Sequence, residues 1–211
     1  SGQNASGRLS DALAIVALAA GDMNGDAAPD IIAVTDGGGG RIYFNDGRGC
    51  FGRGRPFGPP EAHYRALAVG DLDGDARLDI VAGGIGLSLI LLNQGEGVFH
   101  EGRLDDCVSP PAGVICLDKT HATATLALAP FDAGPSLDLV VGYNQLDGAG
   151  GQGVLYLNDG AGRFAARLPE TCTADASPGI PAMVCLGAAD RGTVWQRVAV
   201  GDVDAQAGFD I

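Results

Sequence analysis

The chain has 211 residues, 46% of them hydrophobic, with 35 glycines and 26 acidic against 13 basic side chains for a formal charge of −13. The apolar content excludes a disordered chain, and the acidic balance without a basic cluster excludes a surface built for nucleic acid or anionic lipid. Many short apolar runs, hardly any stretch of helical period and the glycine excess together point to an all-β fold full of turns.

In chain order, SGQNASGRLS is polar and shows no secretory signal, as a mature or excised chain would in any compartment. Asn4-Ala5-Ser6 is a glycosylation sequon, a weak pattern by itself. The apolar run ALAIVALAA then leads into GDMNGDAAPD, Gly21 to Asp30, which sets Asp22, Asn24, Asp26 and Asp30 around a glycine bend and offers the carbonyl of Ala28. After IIAV come a glycine-rich turn, Gly37 to Gly40, and the ending IYFNDGRGCF. No Lys-Ser/Thr follows those glycines, so they read as a wide turn and not as a phosphate cradle.

The loop recurs as GDLDGDARLD, Gly70 to Asp79, with Asp71, Asp73, Asp75 and Asp79 in the side-chain positions and the carbonyl of Arg77 as a further ligand. Four carboxylates so close repel one another unless a cation sits between them. Hard oxygen donors in that number suit calcium better than magnesium or zinc. An EF-hand is excluded twice. Its twelfth loop residue should be glutamate, yet Ala33 and Ala82 stand there, and its flanks should be helices where these are short apolar strands. The plainer alternative is a set of polar turns between strands, since Asp, Asn and Gly form turns anyway.

Ile80 to Leu92 is too short and glycine-rich to span a bilayer and reads as two strands and a turn. The unit closes on LILLNQGEGVF. A third unit carries APFDAGPSLD, where only Asp132 and Asp138 remain, so an empty site is expected, and ends on VLYLNDGAGRF. A fourth loop, GDVDAQAGFD, keeps Asp202, Asp204 and Asp210 but has Gln206 in place of an aspartate, which predicts weaker binding.

Cys107 and Cys116 bracket one proline-containing loop and Cys172 and Cys185 another, each second cysteine being followed by leucine. Two local disulfides in an oxidising compartment are the simplest reading, although four cysteines allow three pairings. Reduced core cysteines are the alternative. Cys50 is left over, as a buried thiol or one that pairs outside the chain.

Each unit therefore reads strand, acidic loop, strand, glycine turn, strand, second turn, with Asn45, Asn93 and Asn158 opening the turn before a fourth strand that carries Phe51, Phe99 or Phe164. Four-stranded units that cannot bury their faces alone predict β-propeller blades. Blade one spans about Leu13 to Pro59, blade two about His63 to Asp106 and blade three about His121 to Pro169. A fourth starts near Val194 and reaches Ile211, and insertions at about Cys107 to Cys116 and Cys172 to Arg191 fall on the rim. The expectation is one domain over residues 1–211, a partial wheel of about three blades and the start of a fourth. Because this would leave an apolar face uncovered, further blades or a neighbouring subunit are expected to complete it.

The pattern GD-x-[ND]-x-D-x-x-x-D, an apolar strand and an N-[DQ]-G-x-G-x-F ending resembles the FG-GAP/VCBS repeats of integrin-alpha-like propellers. The resemblance implies a calcium-stabilised propeller outside the cytoplasm, at the cell surface or extracellular, serving adhesion, protein or glycan binding, or a structural role in an assembly. Carried over residue by residue, it assigns metal to Asp22, Asn24, Asp26 and Asp30 and to Asp71, Asp73, Asp75 and Asp79.

Catalytic candidates are thin. His63, His100 and His121 are scattered, and the paired carboxylates are better explained as metal ligands than as the two acids of a glycosidase. Tyr64, Tyr143, Tyr156 and Trp195 could stack on sugars or simply pack between blades. The expectation is a non-enzymatic binding module. The alternative is an accessory propeller of a secreted carbohydrate-active or other hydrolytic enzyme whose catalytic part lies in other sequence.

Overall fold

The computed structural model describes residues 14–100, 110–118, 121–132, 134–144 and 151–167. Among them there is no helix, and the strands form three antiparallel four-stranded sheets. The first sheet takes β1 (Ile15–Gly21), β2 (Asp30–Thr35), β3 (Gly40–Tyr43) and β4 (Arg55–Phe57) in sequence order. The second takes β5 (Tyr64–Gly70), β6 (Asp79–Gly84), β7 (Ser88–Leu91) and β8 (Val114–Asp118), and the third β9 (Ala122–Ala129), β10 (Asp138–Asn144), β11 (Gly151–Asn158) and β12 (Phe164–Arg167). This meander repeated three times is the blade architecture that the sequence predicts.

The blades stack through their first strands, β1 against β5 and β5 against β9, in an open arc among the described residues. The period of two along a strand decides which neighbour each side chain meets. On β6, Ile80 and Ala82 enter the core shared with blade one, while Val81 enters the core shared with blade three. On β7, Leu89 and Leu91 take the first side and Ile90 the second. Blade two is thus apolar on both faces, as its fully buried β6 and β7 require. The first interface also holds Ile32, Val34, Ile42 and Phe57, and the second Leu139, Val141, Tyr143 and Val154. Gly40 stands opposite Phe57 in the register of β3 and β4, and a Cβ there would fall inside the phenyl ring.

The fourth strands depart from expectation. Phe164 opens β12 as predicted, but Phe51 makes only an isolated bridge with Asn45, and blade one closes instead through β4. In blade two, Phe99 is buried outside any strand, its ring centroid 6.3 Å from that of Phe57. The fourth strand is β8, so the blade runs past Asp106 to Asp118, and Cys116 belongs to the sheet and not to a rim insertion. The physical reason is that an aromatic side chain can anchor a turn by packing alone, whereas Val114 and Ile115 supply the β-branched backbone that pairs with Leu91 and Ile90. The Gly37 to Gly40 segment is a wide turn as read, closed by Thr35 N–H donating to the Gly39 carbonyl at 3.1 Å. Asn4, Cys107, Cys172, Cys185, Trp195, Asp202, Asp204 and Asp210, with the fourth blade and the second insertion, lie outside the described residues.

Candidate metal centre

The acidic loops are the connections between the first and second strands of each blade, so all three sit at the same end of the arc. In the first loop Asp22 folds the chain around its own carboxylate. Oδ1 accepts the N–H of Gly25 at 2.7 Å and that of Asp26 at 3.2 Å, and Oδ2 accepts that of Ala27 at 2.7 Å. Burial works to raise this carboxyl, but the N–H groups of Ala27, Gly25, Asp26 and Asn24 outweigh it and hold it below the usual range. Ala27 pays for the tight bend with a φ of 65°, and Ala76 has the same value at the matching place in the second loop. Asn24 Oδ1 takes the Asp26 N–H and Asp26 Oδ1 that of Ala28, so alternate side chains turn back into the loop. Asp30 opens β2 fully buried, accepting from the N–H groups of Met23 and Asn45. Burial raises its carboxyl, and the charges of Asp26 and Asp22 add to that.

The second loop repeats the scheme with one more carboxylate. Asp71 accepts the N–H groups of Gly74 and Ala76, Asp73 that of Asp75, and Asp75 that of Arg77. Asp71, Asp73 and Asp79 converge, one oxygen from each lying within 4.8 Å of the others. Oxygens bound to calcium at 2.3–2.6 Å stand at most about 5 Å apart, so this spacing accommodates the ion. Burial pushes Asp79 up to about 6, with Asp73 and Asp75 adding to the shift against the N–H groups of Asn93 and Leu72. Asp73 is raised by burial and then by its neighbours Asp75 and Asp71. Asp73 and Asp79 are thus held toward the neutral form in a place that a positive charge would relieve, and an all-oxygen donor set of this kind fits a hard cation. Asp75 stands outside the convergent group because its Oδ2 is paired with the Arg77 guanidinium. The Arg77 Nε donates in turn to the Asn93 carbonyl at 3.0 Å.

In the third loop Pro130 occupies the position of Asp71, and Asp138 takes up the slack by accepting from both Phe131 and Asp132. Ser136 Oγ reaches the Asn158 carbonyl at 3.1 Å, as the Arg77 guanidinium reaches that of Asn93. The loop frame therefore persists where most of the ligand set is gone. Sequence reasoning assigned Asn45, Asn93 and Asn158 to turns, and each does start one, its Oδ1 accepting the N–H two residues on. What it missed is that the Asn93 and Asn158 amides are buried and donate to carbonyls of the preceding blade, Met23 at 2.9 Å and Leu72 at 2.8 Å. The available signal was the large apolar residue, Met23 or Leu72, that directly follows the first aspartate of each acidic loop.

The histidines do not meet. His63 Nδ1 lies 2.8 Å from Asp36, the His121 ring lies against Tyr143, and the His100 carbonyl accepts from Gly58. Tyr143 and Tyr156 hydroxyls pair with each other at 3.0 Å across β10 and β11, and Tyr64 is buried. No helix among the described residues is long and apolar enough to cross a membrane.

Residues 22–82 match the family model of the FG-GAP-like repeat, a span that begins at the first acidic side chain of loop one and takes in the whole of loop two. No curated protein matches the chain. Among the solved structures it resembles is one described as the basis of specific recognition of non-reducing terminal N-acetylglucosamine by an Agrocybe aegerita lectin. The two are 22% identical with a TM-score of 0.45, over 72% of this chain and 37% of that one, so this chain spans just over a third of that structure's length.

Proposed function

We propose that this chain is a calcium-stabilised, non-enzymatic β-propeller module that presents one rim to a protein or glycan ligand outside the cytoplasm, or serves as a structural part of an assembly. The observation that carries it is the convergence of Asp71, Asp73 and Asp79 in a turn whose backbone N–H groups hold those carboxylates in place. The FG-GAP-like repeat over residues 22–82 supports the same reading. Calcium would be held in the second loop by Asp71, Asp73, Asp79 and the Arg77 carbonyl, joined by Asp75 once the ion draws its carboxylate from the Arg77 guanidinium, and in the first by Asp22, Asn24, Asp26, Asp30 and the Ala28 carbonyl. Asp202, Asp204 and Asp210 would form a weaker third site. Bound calcium supplies neutralising charge. The chain's own residues do the rest: backbone N–H groups aim the carboxylates, and the β2 and β6 strands that start at Asp30 and Asp79 carry the fixed geometry into each blade.

In this reading Cys107 pairs with Cys116 and Cys172 with Cys185, fastening the β8 approach and the later loop in an oxidising compartment. The open arc is completed by further blades or a neighbouring subunit. Calcium titration calorimetry is the test, with saturable binding of two tight equivalents expected and absence of binding overturning the metal reading. A glycan and protein array probed in calcium and in chelator then tests the binding role. Turnover of a glycan by the isolated chain would overturn the non-enzymatic assignment.

A further inference from the structure

A hydrogen-bonded path runs from blade to blade just beneath the acidic loops. The Met23 N–H donates to Asp30 at 2.9 Å while the Met23 carbonyl accepts from the Asn93 side-chain amide at 2.9 Å. The Asn93 backbone N–H donates to Asp79 Oδ1 at 2.8 Å, and Asp79 Oδ2 accepts the Leu72 N–H at 2.8 Å. The Leu72 carbonyl accepts from the Asn158 amide at 2.8 Å, and the Asn158 N–H donates to Asp138 at 2.8 Å. Each asparagine also donates to its own blade, Asn93 to the Leu78 carbonyl and Asn158 to the Leu137 carbonyl. Asp30, Asp79 and Asp138 are 0% exposed, and Met23, Leu72, Asn93 and Asn158 are at most 4% exposed, so water does not compete for these bonds.

We infer that Asn93 couples the metal loops of adjacent blades, so that filling one loop raises the calcium affinity of the next. The inference rests on the calcium reading above. Asp30 and Asp79 are each the closing ligand of a loop and an end of the Met23–Asn93 link. A cation that fixes the Asp30 carboxylate fixes the Met23 peptide, which positions the Asn93 amide and through its backbone the Asp79 carboxylate. The ordering cost is then met once for two sites, which is positive cooperativity without a change of fold. Asn158 extends the link to the third loop, where Asp138 anchors the path with few ligands around it. Asn93 is a positioning residue: it acts through its hydrogen bonds to Met23 and Asp79.

The test uses the full chain, calcium as the probe and the Ala27 and Ala76 amide resonances as separate reporters of the two loops. Asp26→Ala disables the first loop without touching the Asp30–Met23–Asn93 bonds. It should weaken calcium binding in the second loop by about fivefold or more, the lower end of ordinary coupling. In an Asn93→Leu background the same change should move it less than twofold, while in Asn158→Leu the coupling should persist. Should Asn93→Leu not fold, the Asp26→Ala protein decides alone: calcium entering the second loop should slow hydrogen exchange at Met23 in the disabled first loop. Equal second-loop affinities with and without Asp26→Ala, or unchanged Met23 exchange, would overturn the coupling. Coupling that survives Asn93→Leu would overturn its assignment to Asn93. No calcium binding at all would instead overturn the metal reading on which it stands.

Discussion

Ala27 and Ala76 hold the left-handed backbone conformation that L side chains disfavour, and both do so at the point where an aspartate oxygen collects their N–H. Left-handed φ costs an alanine about 1–2 kcal/mol, while a glycine there adds about 0.4–1 kcal/mol of unfolded-state entropy, so the difference favours glycine. Ala76→Gly should therefore raise stability by up to about 1 kcal/mol in a denaturant melt without altering calcium stoichiometry. The ligand positions behave oppositely. Asp73→Ala should weaken the second site by at least about tenfold and leave the first filled at saturating calcium, with only the smaller coupled loss inferred above, and Asn24→Ala should do the converse. Asp132→Ala should leave metal content unchanged, because Pro130 already stands where its loop would need a carboxylate. Loop-resolved calcium titrations separate these outcomes.

Between elements, the end of the arc opposite the acidic loops has its own fastening. Asp36, just after β2, forms an isolated bridge with His63, just before β5, and its carboxylate reaches both the His63 ring and the Arg65 guanidinium, the latter at 3.1 Å. The His63 hydrogen bond, opposed by burial and helped by the Arg65 charge, holds the Asp36 carboxyl below its ordinary 3.8. A carboxylate with a lowered folded pKa stabilises above its unfolded value, and that contribution fades as pH falls through the folded one. Asp36→Asn should then lower the melting temperature slightly at pH 6, with the gap to the parent closing below pH ~3.8 as the native carboxyl protonates. A constant gap across that range would show that the bridge works through packing alone.

At this same scale the sequence was most and least legible. The acidic loops and the strands that follow them could be read because their signals are local: alternate carboxylates, a glycine bend and a run such as IVAGG, short, apolar and bounded by glycine as buried strands are. The fourth strands of blades one and two could not. The cue used, a phenylalanine after a glycine turn, marks a packing anchor, and pairing is settled by segments farther along, at Arg55 and Val114. The buried donors of Asn93 and Asn158 were equally out of reach, since their acceptors lie 70 and 86 residues away along the chain. An asparagine before glycine has a sufficient local explanation as a turn former, and that explanation hid the other one.

For the molecule as a whole, blade two is the shared element: its strands fill both cores, and its Asn93 and Leu72 carry the hydrogen bonds to blades one and three. A loss of order in its acidic loop should therefore be felt across both interfaces and not in one blade alone. Calcium bound only by the folded state adds RT ln(1 + [L]/Kd), about 2.7 kcal/mol per site at a hundredfold excess over Kd. In a chain of this size each kcal/mol moves the midpoint by roughly 2–4 °C. Two filled sites should accordingly raise the melting temperature by about 10–20 °C over that in chelator, and the transition should stay single, with tyrosine absorbance and backbone circular dichroism melting together. A chelated melt that coincides with the calcium melt would remove the metal from the stability of the fold. A melt that splits into two transitions on chelation would show that the blades are held by their separate cores, and that the hydrogen bonds between them add little.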